Sequence, residues 1–155
     1  MLREFPASPE ARLGTLLATT MIVAGLAVPA SAEESAFIRT ADSSQLEWGP
    51  CPQFMPVGCS LAVLHGDPAK PAADVFFKLP AGATVPLHWH NSEERMILVS
   101  GEIEAIYEGQ DPVVMKAGTY EYGPPRREHN ATCVSDEDCV LFIAFVEPVD
   151  AFPAD

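Results

Sequence analysis

Two histidines one residue apart, His88 and His90, are followed by adjacent carboxylates at Glu93 and Glu94, and another histidine, His129, lies further along the chain. Three neutral imidazoles and one carboxylate make a mixed nitrogen and oxygen donor set suited to a divalent transition metal: Fe, Mn, Ni, Cu, Co or Zn. Geometry and supply, not residue identity, select among these ions. On an octahedral ion four protein ligands leave two positions for substrate, water or dioxygen, whereas on a tetrahedral zinc they leave none, as in a structural site. Most histidines are surface or satisfied core residues, so a His-X-His pair alone does not establish a site. The elements that carry it decide.

Successive side chains on a strand point to opposite faces, so a strand through this segment puts His88 and His90 on one face and Trp89 on the other. Short apolar or alternating runs punctuated by Pro and Gly extend that reading along the chain. They predict strands near Ser60–Leu64, Asp74–Leu79, Thr84–His90, Arg95–Ser100, Glu102–Glu108, Val113–Lys116, Thr119–Tyr122, His129–Val134 and Val140–Glu147. A sustained helical period of useful length is missing outside the N-terminal apolar run, so the expected class is all-β, a barrel or a sandwich. Gly82 and Gly101 sit at turns where a side chain would obstruct a positive φ, and they set the register of the strands bearing the donors. A one-residue slip would swing both histidines out of the barrel and Trp89 in. Pro86 lies within its strand, so its missing N–H is expected at an edge or a bulge.

The frame Gly82, five residues, His88, one residue, His90, three residues, Glu94, six residues, Gly101 resembles the first cupin motif at every fixed position. The second cupin motif is matched by Gly118, Pro124 and His129, with Arg126 where Gly is usual and Cys133 where Asn is usual. Further blocks, Leu46-Glu47-Trp48-Gly49-Pro50, Ala62-Val63-Leu64-His65-Gly66-Asp67-Pro68 and Phe77-Lys78-Leu79-Pro80-Ala81-Gly82, are similar to small secreted bacterial cupins and to the cupin domain of ChrR-type anti-sigma factors. The resemblance implies a single cupin barrel, a double-stranded β-helix or jelly roll, over residues 46–148. It also implies a metal on His88, His90, Glu94 and His129. Glu94 alone meets the family spacing on both sides, and Glu93 is expected to face solvent. One reaction is not implied, since cupins include dioxygenases, isomerases, decarboxylases and non-catalytic sensors. The leading expectation is a metal-dependent enzyme of the dioxygenase type acting on a small organic substrate, with Glu94 also available as a base. The alternative is a cupin that binds or senses a metal or small ligand without turnover.

Arg126 and Arg127 precede His129 and are expected at the barrel mouth. Arg126 there could grip a substrate carboxylate as a bidentate pair, or the two could pair with acidic neighbours. Tyr122, with Tyr120, Trp89, Phe76 and Phe77, lines a pocket or fills core, and His65 reads as a surface imidazole. The four cysteines allow three connectivities, of which the local one, Cys51–Cys59 and Cys133–Cys139, is favoured. The first loop holds Pro52, Pro56 and Gly58, and the second is a polar hairpin tip. Closing a loop this short stabilises by about 2.5 kcal/mol on the chain-entropy model. On a regular strand Cys133 shares the face of His129, so a free thiolate could approach the metal, but pairing with Cys139 would consume it.

Arg3 and Arg12 precede an apolar run from Leu16 to Val28, and Ala30-Ser31-Ala32 supplies a small-residue cleavage site. Residues 1–32 are therefore expected to be a signal peptide, followed by a flexible segment over 33–45 and, after the barrel, a C-terminal tail over 149–155. The run is shorter than the roughly 20 apolar residues that span a bilayer. A periplasmic or secreted location follows, in keeping with the cysteines. Nine Lys and Arg against 22 Asp and Glu give a net charge of −13. That balance argues against nucleic acid, and against membrane once the leader is removed, because phosphate backbones require concentrated cationic side chains. The expected partners are a small-molecule ligand and, since a small domain buries a limited share of its surface, a second copy in a homodimer.

Overall fold

The structure is a computed structural model and describes residues 35–154. The expected signal peptide lies outside the described residues. Alternation dominates the chain from Ser60 onward. In Glu102–Tyr107 every second residue, Ile103, Ala105 and Tyr107, is buried, and the residues between them are half-buried. Such a pattern can be satisfied only by a strand with one face on a core.

Eleven strands result: β1 (Trp48–Pro50), β2 (Ser60–His65), β3 (Ala73–Leu79), β4 (Thr84–Trp89), β5 (Glu94–Ser100), β6 (Glu102–Tyr107), β7 (Val113–Lys116), β8 (Tyr120–Gly123), β9 (His129–Cys133), β10 (Cys139–Phe145) and β11 (Phe152–Pro153). No helix occurs among the described residues. The strands form two antiparallel sheets, β1-β2-β3-β10-β5-β8 and β11-β4-β9-β6-β7. The core lies between them. Val75, Phe77, Leu79, Leu98, Leu141 and Ile143 come from the first sheet, and Val85, Ile103, Ala105, Met115 and Cys133 from the second. Each large side chain fully buried there stabilises by about 1.5–3 kcal/mol. The all-β jelly-roll barrel expected from the sequence is the fold observed.

All nine predicted strands are present, with ends shifted by at most two residues. β1 and β11 were not anticipated. Each is two or three residues long and contains a proline, so neither carries a period of its own. β11 lies in the segment read as a tail and pairs with β4, Phe152 opposite Trp89 and Pro153 opposite His88. Gly82 and Gly101 have φ of 71° and 79°, as their turn positions require. A Cβ at Gly101 would in addition lie 2.7 Å from the Cys139 sulfur.

Both disulfides are the local ones, Cys51–Cys59 and Cys133–Cys139, and no described cysteine is free. The thiolate considered at Cys133 is therefore consumed. Among the described residues no helix is long and apolar enough to cross a membrane.

Candidate metal centre

β4 ends at Trp89, so His88 is on the strand and His90 is the first residue beyond it, one residue short of the predicted end. Alternation persists across that boundary. His88 and His90 are buried, while Trp89 turns to the other face and stacks on Phe152 with ring centroids 4.5 Å apart. The pairing of β4 with β9 shifts register between Val85 and His88, at Pro86, which answers the expectation of a bulge. A bulge re-aims the residues that follow it. Here it sets His88 opposite His129 of β9.

Glu94 opens β5 opposite Gly123 of β8. A Cβ at Gly123 would stand 3.3 Å from Glu94 Oε2 and 3.0 Å from the Tyr107 hydroxyl, so a side chain there would crowd Glu94. Ser92 fixes the turn between His90 and Glu94. Its buried Oγ accepts from the N–H groups of Val146 and Glu147 at 2.9 and 3.0 Å and donates to the Glu93 carbonyl at 2.6 Å.

Each imidazole is held by a main-chain carbonyl. His88 Nδ1 bonds Pro86 O at 2.8 Å, His129 Nδ1 bonds Arg127 O at 3.0 Å, and His90 Nδ1 bonds Asp150 O. A carbonyl can only accept, so Nδ1 of each ring carries the hydrogen and Nε2 keeps its lone pair. Contacts of this kind orient metal-ligating histidines. One ligand atom from each of His88, His90 and His129 lies within 4.8 Å of the others, the geometry of a group that can hold a metal ion. Glu94 Oε2 is 3.3 Å from His90 Nε2 and 3.7 Å from His129 Nε2.

Burial governs the charges. It lowers His88 to about 3, with His129 and His90 adding repulsion, and lowers His129 to about 4. His90 is lowered too, again by burial. Glu94 is pushed up to about 8, by burial first and then by the charges of Glu121 and Asp150. Among the described residues no lysine or arginine lines the surrounding cavity. Three inward lone pairs and a buried carboxylate without a cationic side chain are what a divalent cation would match, holding Glu94 ionised. The donor chemistry fits a transition metal.

The donors form part of the wall of a cavity of ≈ 130 Å³. Most of the rest is apolar and includes Phe77, Met96, Leu141, Ile143 and Phe145. The loop closed by Cys51–Cys59 adds Cys51, Pro52 and Met55, and the Phe54 ring lies 6.3 Å from that of His88.

Arg126 and Tyr122 do not line this cavity. Arg126 is exposed with φ of 61°, which accounts for the Gly usual at that position, and its N–H donates to the His90 carbonyl at 2.7 Å. Tyr122 is exposed, and its hydroxyl donates to Glu93 Oε2 at 3.1 Å, leaving Glu93 half-buried. Arg127 pairs with Glu108, donating to its carbonyl at 3.3 Å. Of Tyr120, Trp89, Phe76 and Phe77, only Phe77 reaches the cavity wall.

Sequence reasoning missed Glu121, Tyr107 and Asp150. Glu121 was legible by parity: once Gly123 opposes Glu94, Glu121 opposes Met96 and faces inward, with Tyr120 and Tyr122 outward. Its carboxyl, raised by burial, lies beside the Tyr107 hydroxyl, which is buried without a hydrogen bond of good geometry. The Tyr107 ring stacks on His129 at 4.8 Å. Asp150 carried no sequence signal, since its role depends on a segment docking far from its place in the chain.

A family model described as the ChrR cupin-like domain matches residues 38–148. No curated protein matches the chain. Among solved structures, the DMSP lyase DddQ from Ruegeria pomeroyi is similar with a TM-score of 0.60 and 21% identity, over 70% of this chain and 61% of that one. The polyketide cyclase RemF from Streptomyces resistomycificus gives 0.62 and 13%, over 77% and 87%. The oxalate decarboxylase OxdC of Bacillus subtilis gives 0.55 and 22%, over 63% and 28%. This chain thus spans less than two thirds of the length of the lyase. At these identities the likeness is one of fold.

Proposed function

We propose that this chain, which belongs to the ChrR cupin-like family, holds a divalent transition metal on His88, His90, Glu94 and His129 and is an enzyme of the oxygenase type acting on a small organic substrate. The observation that carries the reading is the convergence of one ligand atom from each of three buried histidines, with each ring tethered through Nδ1 to a main-chain carbonyl, that of Pro86, Asp150 or Arg127. The cavity beside them supports this reading over a purely structural metal. Solved neighbours named as a lyase, a cyclase and a decarboxylase support an enzyme without selecting a reaction.

When bound, the ion supplies Lewis acidity toward a substrate oxygen and, if redox-active, electron exchange with dioxygen. The protein's own part is to hold three neutral rings in one tautomer and to exclude water with an apolar wall. Glu94 faces the cavity with a carboxyl whose proton affinity is raised, so once ionised it suits a second role as acceptor of a substrate proton. The two disulfides support an oxidising compartment, the periplasm or the medium, as its place of work.

Metal analysis of protein purified from its native compartment tests the site. About one ion per chain is expected in the wild type and less than a tenth of that in His88→Ala and in His129→Ala, because three-ligand remnants bind far more weakly. Full metal in both variants would overturn the donor assignment. Oxygen uptake with iron, copper, nickel or manganese bound supports the enzyme, whereas tetrahedral zinc without an exchangeable water leaves a binding module.

A further inference from the structure

We infer that the cavity beside the three histidines takes a neutral, largely apolar molecule of about the bulk of a six-membered ring, and that it discriminates against carboxylates of the same size. The inference deepens the metal-enzyme reading and rests on it only in calling the occupant a substrate.

Size comes first. The cavity measures ≈ 130 Å³. An apolar protein cavity of about 150 Å³ stays dry and admits benzene, so a ring of roughly six or seven non-hydrogen atoms is the upper range here. The wall then sets polarity. Phe77, Met96, Ile103, Leu141, Ile143 and Phe145 present carbon and sulfur, and burial of apolar ligand surface against them is the main attraction available.

Charge sets the sign. Among the described residues the acidic members of the lining are Glu94, Glu121 and Asp150, and the lining contains no lysine or arginine. Asp150 is already engaged, with its carboxylate accepting from the Asn91 N–H at 2.9 Å and from the Asn91 side-chain amide at 2.7 Å. An anion entering this space would shed its water against apolar atoms and meet acidic groups but no cationic side chain. Its sole cationic partner would be the metal, whose charge Glu94 already offsets in part. Arg126 and Arg127 are exposed and do not reach the wall, so the residues expected to recognise a carboxylate do not supply the missing charge. Glu121, whose carboxyl lies beside the Tyr107 hydroxyl, belongs neither to the donor set nor to the Asp150–Asn91 contact, and it is the group placed to meet a ligand's single polar end.

Cyclohexanone and cyclobutanecarboxylate, which have seven non-hydrogen atoms each and differ in charge, separate the possibilities when titrated calorimetrically into the full chain, metal-free and zinc-loaded. Cyclohexanone is expected to bind at least tenfold more tightly than the carboxylate in both forms. Ala131→Leu and Val149→Phe, which add bulk at two points of the wall, should each weaken cyclohexanone at least tenfold without altering zinc stoichiometry; the second variant serves if the first does not fold. Equal or tighter binding of the carboxylate to the zinc-loaded protein, or no cyclohexanone binding at millimolar concentration, overturns the inference. A protein that takes up no zinc yet prefers cyclohexanone overturns the metal reading alone, so the two failures are distinguishable.

Discussion

At the site, burial acts in opposite directions on the two kinds of donor. His88, lowered to about 3, and His129, lowered to about 4, stay neutral over the physiological range and present no proton for a metal to displace. Glu94, raised to about 8, keeps its proton at neutral pH in the metal-free protein. Metal uptake near pH 7 should therefore release close to one proton per ion, measured by calorimetry in buffers of different ionisation heat. Affinity should climb by up to about tenfold per pH unit between pH 6 and 8 and then level off. Glu94→Gln should abolish both the release and the slope; release that persists in that variant would show that another group titrates. Metal-free stability follows from the same shifts. The folded state holds the Glu94 proton that the unfolded chain loses near 4.5, so this contribution declines as pH rises from 4.5 to 8. The unfolded chain takes up histidine protons below 6.5 that the folded state refuses, so stability also falls as pH drops toward 4. Two histidine contributions outweigh that of Glu94 until the unfolded histidines are half deprotonated, so a maximum near pH 6.5 is expected in urea titrations of the chelated protein.

Among the elements, β4, β5 and β9 carry donors, and the smallest strand, β11, supports them from the edge. β11 closes the edge of β4, and the segment leading into it supplies the Asp150 carbonyl that holds His90 and the carboxylate that pins Asn91. Truncation after Glu147 removes all three contacts and leaves the β4–β9 and β5–β8 pairings intact. Metal affinity measured by chelator competition should fall by about 10- to 100-fold while the circular dichroism spectrum keeps its strand signature, in line with the effect of removing outer-shell partners. Unchanged affinity would mean that His90 needs no tether. The irregularity around Pro86 was half readable in advance, because a proline inside a strand puts its missing donor at an edge or a bulge, and the pairing with β9 shows the bulge. β11 was not, because two residues carry no period.

For the molecule as a whole, the disulfides close one loop at each of two places that matter: Cys51–Cys59 over the cavity wall, and Cys133–Cys139 under Gly101. Replacing Cys51 and Cys59 together by Ser should lower stability in urea by about 2.5 kcal/mol. It should also speed hydrogen exchange in residues 51–59; a loss confined to stability, with exchange there unchanged, would show that packing alone holds the loop. The sequence by itself indicated the all-β class, most of the strand positions and the local cysteine pairing as the favoured one of three, and it singled out the three histidines as candidate donors, because alternation, turn residues and close spacing are local properties that survive without knowledge of partners. Only the tertiary structure decided that three Nε2 atoms meet, that Glu121 rather than Tyr122 faces the cavity, and that the wall carries no cation. Those facts depend on which strands lie opposite one another. The contact between His90 and Asp150 spans 60 residues of chain, and a partner at that distance is chosen by sheet order and packing, which no local pattern records.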